Sequence, residues 1–470
     1  MKHKIATLWS SSVFLVALLF GMSACSEDPV TPEETYPAEL ISFSFQGLEL
    51  EAEAIDIQGQ TISVLVPLGT DITNLIPIFE ISDVTTIKDY AADTAYDFSA
   101  PLTFTLVGTD GVEKVFQISV IVDNRLAYGF GTVTDLWGLS HSEQGWTDHK
   151  PSGMAISGDY VVLLHRDESK YEIYDRMDGS KIGLMNIEGI GTGRKIAADD
   201  KGVILSSNVV GKPDDEFIIY KWNDVNAAPE VFLKWTHDIT EHYGAESKPW
   251  ETALVGHADF TVKGDLAGDA VIYAPVSMTN IILRWTVKSG ELVSETPDKI
   301  AYEFSNGRTN WEMTVGVEPV GATDQDDILV NSTFEVGLAD ATGKVKHVFS
   351  TSEVSGANEM STFEFNGAKF VAFFQSGWTQ GALMRVVDIT NPEMIEATVE
   401  ERQEAGYNYM PFVSDWVPLK AGVSNVNGTG DIVITVDEEN EVAQAYLLGT
   451  NAGVQAFELS RIAPVVEETE

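Results

Sequence analysis

The stretch Ala270-Val-Ile-Tyr-Ala-Pro275, followed by Ile281-Ile-Leu-Arg-Trp-Thr-Val-Lys-Ser-Gly290, sets the pattern for most of this chain. Two apolar runs of strand length, joined by a short connection and ended by a turn, are typical of an antiparallel β-hairpin. Similar runs begin close to a Gly or an Asp at spacings of 42 to 68 residues. The other runs are Tyr160-Val-Val-Leu-Leu-His165, Gly202-Val-Ile-Leu-Ser-Ser207, Asp327-Ile-Leu-Val-Asn-Ser332, Phe370-Val-Ala-Phe-Phe-Gln375 and Asp431-Ile-Val-Ile-Thr-Val436.

This repeat predicts a large all-β domain over residues 124–463. Units of about 40 to 60 residues, each with several strands, resemble the blades of a β-propeller. We expect each apolar run to be the inner strand of a blade. That gives six blades, or seven if the segment Leu126–Trp137 completes the ring. The uneven spacing leaves two stacked β-sandwiches as the alternative.

Residues 38–123 form a second region, in which short strands alternate apolar and polar residues. Turn signals such as Gly59 and Asp110-Gly111 separate them, which predicts a small β-sandwich. The predicted strands are Leu40-Ile-Ser-Phe-Ser-Phe45, Thr61-Ile-Ser-Val-Leu-Val66, Leu102-Thr-Phe-Thr-Leu-Val107 and Lys114-Val-Phe-Gln-Ile-Ser-Val-Ile-Val122.

The motifs of this small region resemble an immunoglobulin-like domain of uncharacterised function that opens many surface lipoproteins of Bacteroidota. The resemblance implies a spacer that lifts the next domain away from the membrane, and it carries no catalytic residues. The motifs are Ile41-Ser-Phe43, Val66-Pro-Leu-Gly-Thr-Asp71, Leu75-Ile-Pro77, Asp97-Phe-Ser-Ala-Pro101 and Gly108-Thr-Asp-Gly111.

The N-terminus predicts export and lipid attachment. A basic start, Met1-Lys-His-Lys4, precedes an apolar run over Ile5–Phe20, which is short for a membrane span but typical of a signal peptide. Gly21-Met-Ser-Ala-Cys25 resembles the lipobox of bacterial lipoproteins, and Cys25 is the only cysteine in the chain. We therefore predict a signal peptide over residues 1–24 and lipidation of Cys25. A plain signal peptide beside a free thiol is the alternative.

An acidic, proline-containing stretch over residues 25–37 predicts a solvated tether. The pair Glu27-Asp28 resembles the signal that sends lipoproteins of Bacteroidota to the outer face of the outer membrane. The membrane is therefore expected as a partner through the lipid anchor only. Residues 464–470 are predicted to be a disordered tail.

The net negative charge of the chain bears on which partners it can bind. Seventy-two Asp and Glu against 29 Lys and Arg give a net charge of −43. A field of that sign repels phosphate backbones, so nucleic acid is not expected as a partner. Bound calcium is considered because the chain is acidic, but no stretch matches a calcium-loop motif. We predict no metal and no cofactor, with calcium as the alternative.

Candidate binding residues lie in the segments before the apolar runs. In a propeller, loops that lead into the inner strands gather at one end of the central channel, where ligands bind. Aromatic rings there stack on the C–H faces of sugars, while guanidinium groups and amides bind hydroxyls or carboxylates. The alternative is that these aromatics wedge between blades. The candidates are Trp146, His149, Arg194, Trp250, His257, Arg308, Trp311, Glu359, Tyr409 and Trp416.

Signals for catalysis are weak. The sequence has no H-E-x-x-H, no paired cysteines, no G-x-S-x-G and no phosphate-binding glycine loop. If the protein is an enzyme, we expect a polysaccharide lyase or glycoside hydrolase that uses residues such as His149, His257, Arg194, Arg308 and Tyr409.

We therefore predict a cell-surface lipoprotein that presents a propeller for ligand binding, with glycan capture or adhesion as its role. A propeller enzyme and a scaffold that docks an outer-membrane transport protein are the alternatives.

Overall fold

The computed structural model describes residues 34–461, apart from residues 49, 51–53, 68–69, 124–125, 127, 167, 211–215, 237–258, 312–314, 355–356, 426–427 and 438. The predicted signal peptide over residues 1–24, Cys25, most of the tether and the tail over residues 464–470 lie outside these residues. The chain divides into two compact units between Asp123 and Asn124.

Strands dominate both units, so the all-β prediction is confirmed. Helix in the described residues is limited to short segments, none of which has the length and apolar character to cross a bilayer. The α-helical segments are His141–Gln144, Thr351–Val354 and Val399–Glu404, and the 3₁₀ segments are Ile72–Asn74 and Pro392–Ile395.

The N-terminal unit consists of two sheets around one apolar core. The strands are β1 (Leu40–Phe45), β2 (Ile55–Gln58), β3 (Thr61–Val66), β4 (Pro77–Ile81), β5 (Thr86–Lys88), β6 (Leu102–Val107) and β7 (Glu113–Val122). One sheet pairs β1 with β4, and the other has the order β2-β3-β7-β6-β5 with β3 and β7 parallel. Phe43 and Phe45 of the first sheet pack with Ile62, Phe104 and Ile118 of the second. Alternation of apolar and polar residues along each strand gives each sheet one buried face.

The described residues of the C-terminal unit form six antiparallel sheets, I to VI, in chain order. Sheet I contains β9 (Gly153–Ser157), β10 (Tyr160–His165), β11 (Lys170–Asp175) and β12 (Lys181–Leu184). Sheet II contains β13 (Gly193–Ala198), β14 (Ile204–Asn208), β15 (Glu216–Trp222) and β16 (Glu230–Thr236). Sheet III contains β17 (Thr261–Gly264), β18 (Ala270–Pro275), β19 (Ile281–Lys288), β20 (Glu291–Leu292) and β21 (Asp298–Ala301).

Sheets IV to VI follow the same plan, except that sheet VI takes its last strand from the beginning of the unit. Sheet IV contains β22 (Val315–Pro319), β23 (Ile328–Ser332), β24 (Val336–Ala339) and β25 (Val345–Val348). Sheet V contains β26 (Ala357–Phe365), β27 (Ala368–Gly377), β28 (Gly381–Asp388), β29 (Phe412–Val413) and β30 (Val417–Pro418). Sheet VI contains β31 (Gly430–Asp437), β32 (Val442–Gly449), β33 (Gly453–Ser460) and β8 (Thr132–Ser140).

Strand β8 pairs with β33 from Thr132 opposite Ser460 to Ser140 opposite Gly453. Residues 132–137 of the segment for which a seventh blade was considered therefore belong to sheet VI. The two ends of the unit are therefore hydrogen-bonded to each other within one sheet.

The first strands of the sheets are neighbours in the order β9, β13, β17, β22, β26 and β31, and β31 in turn contacts β9. Sheets III and IV share one apolar core that includes Tyr273 and Trp311, and sheets V and VI share another that includes Phe374 and Leu447. The organisation is therefore propeller-like.

The most apolar runs are second strands, which corrects the expectation that they are inner strands. The runs at Tyr160, Gly202, Ala270, Asp327 and Phe370 fall in β10, β14, β18, β23 and β27, and the run at Asp431 lies in a first strand. A second strand is covered on both faces by neighbouring sheets, and all six residues of β18 are buried. Burial on both faces favours an unbroken run of apolar residues in a second strand. A first strand borders the central cavity, so polar residues are tolerated there.

Candidate functional site

A cavity of about 580 Å³ lies among the first strands of the C-terminal unit. All six first strands contribute to its lining, through residues that include Ile156, Ile196, Val262, Val317, Ser361 and Val433. Its volume falls within the range of about 300 to 1,000 Å³ that is usual for sites of small ligands.

A charged cluster occupies the end of the cavity at which the first strands begin, which we term the top. The Nζ atom of Lys195 donates a hydrogen bond to Oε2 of Glu359 at 2.8 Å. The same atom lies 3.4 Å from Oδ1 of Asp431 and 3.9 Å from Oδ1 of Asp259. We call these four residues the Lys195 cluster. The side chains of Lys195 and Glu359 are 14% and 24% exposed, so the cluster reaches solvent.

Two β-bulges bring Lys195 and Glu359 into the cluster. Gly193 and Ile196 pair with Asn208 and Ser206, so β13 has one more residue than β14 over this interval. Ala357 and Met360 likewise pair with Gln375 and Phe373, which gives β26 an extra residue at the same place in its sheet. A bulge redirects the side chains around it, and bulges are frequent beside functional sites.

Burial and the neighbouring charges shift the pKa values of residues in the Lys195 cluster. Burial raises the pKa of Asp431 to about 7, with Lys195 lowering it and Glu359 raising it further. Burial and Glu359 raise the pKa of Asp259 to about 7 against the effect of Lys195. Burial lowers the pKa of Lys195, but the three carboxylates raise it more, so the ammonium stays charged. Near neutral pH the cluster therefore holds a surplus of negative charge that a proton or another cation can offset.

A second polar group lies at the bottom of the cavity, three to four residues further along the first strands, or about 10 Å. Lys263 donates to the carbonyl oxygen of Thr362 at 2.9 Å and lies 3.4 Å from Oδ1 of Asp200. Glu318 accepts hydrogen bonds from the Thr261 hydroxyl at 2.7 Å and from the Thr362 amide at 3.1 Å. Apolar side chains separate the two polar ends.

Two exposed tryptophans lie at the top of sheet V. Trp378 is 68% exposed and Trp416 is 37% exposed. Trp378 occupies the turn between β27 and β28, and the pairing of Ala357 with Gln375 puts this turn beside the start of β26. A Cβ atom built on Gly377, the residue before Trp378, would lie 2.9 Å from the Trp416 ring, so both tryptophans lie at this turn, and we call them the tryptophan patch. Large exposed aromatic residues at one place are typical of a binding surface.

The structure brings some predicted residues to this end of the molecule. Glu359 lines the cavity, and Trp416 belongs to the exposed patch. The backbone amide of His149 donates to Asn451 in the β32–β33 turn, which also lies at the top of its sheet. Arg194 precedes Lys195 but is not among the described residues that line the cavity. Arg308 is exposed and covers the ring of Phe334 at 3.3 Å.

Three predicted residues are buried between strands and are therefore not available to a ligand. Trp311 is fully buried, and its Nε1 donates to the carbonyl oxygen of Val276 at 3.0 Å. Trp146 is buried and donates to Glu172, and Tyr409 is buried beneath the guanidinium of Arg402. They act as wedges, the alternative that the sequence left open. Trp250 and His257 lie outside the described residues.

Sequence reasoning missed Lys195, Asp259, Asp431 and Trp378 as site residues. Lys195 follows the candidate Arg194 directly, Trp378 lies in the polar segment 376–381, and Asp431 opens an apolar run. Asp259 carries no sequence signal that separates it from other acidic residues of the chain.

Residues 139–456 match the family described as "Domain of unknown function (DUF8500)". The chain belongs to this family. Residues 40–120 match a second domain, described as "SGBP, N-terminal", which is the N-terminal domain of surface glycan-binding proteins. The DUF8500 match covers sheets I to V and most of sheet VI, and the second match covers the N-terminal unit from β1 into β7.

Among solved structures, a DUF4623 family protein from Bacteroides eggerthii is 16% identical to this DUF8500 protein. The alignment covers 90% of this chain and 98% of the other with a TM-score of 0.56, so the two share a fold. An aldose sugar dehydrogenase from Streptomyces coelicolor, solved in its PQQ-bound form, is 11% identical. That alignment covers 72% and 100% of the two chains with a TM-score of 0.39, which does not establish a common fold. No curated protein matches the chain.

Proposed function

We propose that this protein is a surface glycan-binding lipoprotein that holds a glycan chain against the top of its C-terminal unit. The observation that carries the proposal is the patch formed by Trp378 and Trp416, which lies at the same end of the sheets as the Lys195 cluster. The match of residues 40–120 to the N-terminal domain of surface glycan-binding proteins supports the class of ligand.

The chemistry of the patch fits a sugar. A pyranose ring presents an apolar C–H face that stacks on an indole ring, while its hydroxyls remain in water or bind polar groups nearby. Polar residues lie beside the patch, since the backbone amide of Asn425 donates to the carbonyl oxygen of Trp378 at 3.1 Å and that of Leu419, which precedes Lys420, donates to the carbonyl oxygen of Gln380 at 3.3 Å. A flat polar ligand is therefore favoured over an apolar partner.

The location follows from the sequence. Lipid on Cys25 would anchor the chain, and the acidic tether and the N-terminal sandwich would carry the C-terminal unit away from the outer membrane. Capture of a glycan at that distance suits nutrient uptake or adhesion, with an outer-membrane transport protein as the expected partner.

We further propose that the C-terminal unit is a closed propeller of six blades. The ordered contacts between first strands, the contact of β31 with β9 and the pairing of β8 with β33 support this arrangement. The central cavity is then the channel of the propeller.

Glycoside hydrolysis is the second candidate function. It is favoured by Asp259 and Asp431, whose pKa values are raised to about 7 inside a cavity. A carboxyl group that keeps its proton near neutral pH can act as a general acid.

The test uses the full chain, purified in a detergent without a sugar headgroup, and gels that contain plant, host or microbial polysaccharides. We expect at least one polysaccharide to retard the protein without release of reducing ends. The double variant Trp378→Ala with Trp416→Ala should lose this retardation. Val293→Ala, which truncates a 65% exposed side chain just after β20, serves as the control and should keep it.

Each outcome decides between the candidates. Retardation that survives in the double variant would exclude the tryptophan patch as the binding surface. Product release that disappears in Asp431→Asn would establish the enzymatic candidate. Absence of both retardation and product would overturn glycan binding and favour a docking scaffold.

A further inference from the structure

The lining of the central cavity contains more acidic than basic side chains. It contains seven carboxylate side chains and four Lys or Arg side chains. In the Lys195 cluster alone, three carboxylates surround one ammonium group. Unlike charges attract strongly in such a partly desolvated space, so the surplus favours a positively charged guest and disfavours an anionic one.

The cavity also matches a ligand that has both polar and apolar surface. Charged and hydroxyl groups lie at the top and bottom, about 10 Å apart along the strands. Val262, Val317 and Val433 contribute apolar surface between them. A single sugar residue has this combination of hydroxyl edges and an apolar C–H face.

The backbone is arranged to present the charged groups. The bulges at the start of β13 and β26 are matched in position although the strands lie in different sheets, and each one brings a member of the cluster to the cavity. Ionisable groups kept in such a partly desolvated place cost stability. The retention of four ionisable groups at this end therefore points to a ligand.

From the cavity, its surplus of carboxylates and its paired bulges, we infer that it binds one amino-sugar residue and excludes uronates. The ammonium group of the sugar is placed next to Lys195, against oxygens of Glu359, Asp431 and Asp259 other than those that Lys195 contacts. The choice of a sugar, rather than another small amine, rests on the proposed glycan-binding function. The tryptophan patch and the cavity are then separate subsites at one end of the molecule.

The experiment is calorimetric titration of the full chain in the same detergent with glucosamine, glucose and glucuronate. We expect saturable binding of glucosamine, binding of glucose weaker by about ten-fold or more, and no binding of glucuronate. Glu359→Gln and Asp431→Asn each replace a carboxyl group of the cluster by a neutral amide and should weaken glucosamine binding by about ten-fold. Glu359 is partly exposed, so its variant keeps the test valid if Asp431→Asn does not fold.

Glu230→Gln is the matched control, because it removes a carboxylate that pairs with Lys221 outside the cavity and the tryptophan patch. Its affinity for glucosamine should stay within about two-fold of the original. Equal affinity for glucose and glucosamine, tighter binding of glucuronate, no binding of glucosamine, or full affinity in both cavity variants would each overturn the inference.

The glycan-binding function and the amino-sugar site can be tested independently of each other. The double tryptophan variant should still bind free glucosamine, because the monosaccharide does not need the patch. Glucosamine binding without retardation by any polysaccharide would overturn the proposed function and leave the cavity as an amine site. Retardation by polysaccharides without glucosamine binding would overturn the cavity inference alone.

Discussion

Asp431 accepts a hydrogen bond from the backbone amide of Met154 at 2.8 Å, and these two residues are 277 positions apart in the chain. Its Oδ2 atom thereby connects the first strand of sheet VI to the first strand of sheet I. Its Oδ1 atom lies 3.4 Å from Nζ of Lys195 in sheet II. One carboxylate therefore links three sheets at the top of the cavity, and the charges of the site are also part of the packing between sheets.

Replacement of Lys195 by Met should destabilise the C-terminal unit. It leaves three partly buried carboxylates without their counter-charge, and loss of one partner of a buried ion pair costs about 3–5 kcal/mol, less here because the cluster reaches solvent. We expect a loss of about 2–4 kcal/mol in the free energy of unfolding. Urea unfolding followed by tryptophan fluorescence measures this unit, because nine of the ten tryptophans lie beyond residue 123 and the other is Trp9.

Lys288→Met is the control for this substitution. Lys288 forms an exposed ion pair with Asp269, and such pairs contribute about 1 kcal/mol or less. Equal losses in the two variants would show that the Lys195 cluster is not a coupled group.

The Lys195 cluster should make the unfolding free energy fall as the pH rises from about 4 to about 7. The pKa values of Asp259 and Asp431 are raised to about 7 in the folded protein, so the folded state holds more protons than the unfolded state in this interval. Asp431→Asn removes one of these groups and should make the dependence shallower. Urea titrations of both proteins at several pH values from 4.5 to 7.5 provide the measurement. An unchanged slope in the variant would contradict the assignment.

The sequence was sufficient to predict an all-β chain with a small sandwich before a repeating domain, because alternation and turn residues are local signals. It misassigned the inner strands, because burial on both faces makes the second strand of each sheet the most apolar. The first strands, such as Gly193–Ala198, are less apolar since one side borders the cavity. The most apolar run of a sheet therefore identified its second strand in most sheets, whereas the first strand lines the cavity.

The candidate site was less predictable for a geometric reason. Strict alternation along β13 gives no preference for Lys195 over Arg194, and the bulge that decides between them depends on pairing with β14. The tryptophans pose a similar problem, because Trp311 and Trp378 both occur in polar segments. Burial of the first and exposure of the second arise from packing between sheets that are distant in sequence.

The difference between these two tryptophans gives the next prediction. Trp311→Ala should cost about 3–5 kcal/mol of unfolding free energy, because it empties a fully buried site and removes the donor to Val276. Trp378→Ala should change the unfolding free energy by less than about 0.5 kcal/mol, because the ring is mostly exposed. Urea unfolding measures both, and polysaccharide retardation is compared under conditions where both variants are folded. Loss of retardation in folded Trp311→Ala, with retention in Trp378→Ala, would contradict the assignment of the binding surface.

Glu172 should give the C-terminal unit an acid sensitivity of the opposite sign to that of the Lys195 cluster. Its buried carboxylate accepts from Trp146 Nε1, Tyr174 Oη and Lys181 Nζ and is hydrogen-bonded to His165 Nε2. Burial raises its pKa, but these partners lower it more, so the pKa lies well below its usual range. The stabilisation is therefore complete above the ordinary glutamate pKa of about 4.3 and is lost as the pH falls below it.

Glu172→Gln should lower the unfolding free energy by about 3 kcal/mol at pH 7. Between pH 5 and pH 3 the unfolding free energy of this variant should fall by less than that of the original protein. Glu364→Gln, which alters an exposed ion pair with Lys369, is the matched control and should keep the original acid dependence. If Glu172→Gln and Glu364→Gln lose stability to the same extent on acidification, the buried network does not set the acid limit of the fold.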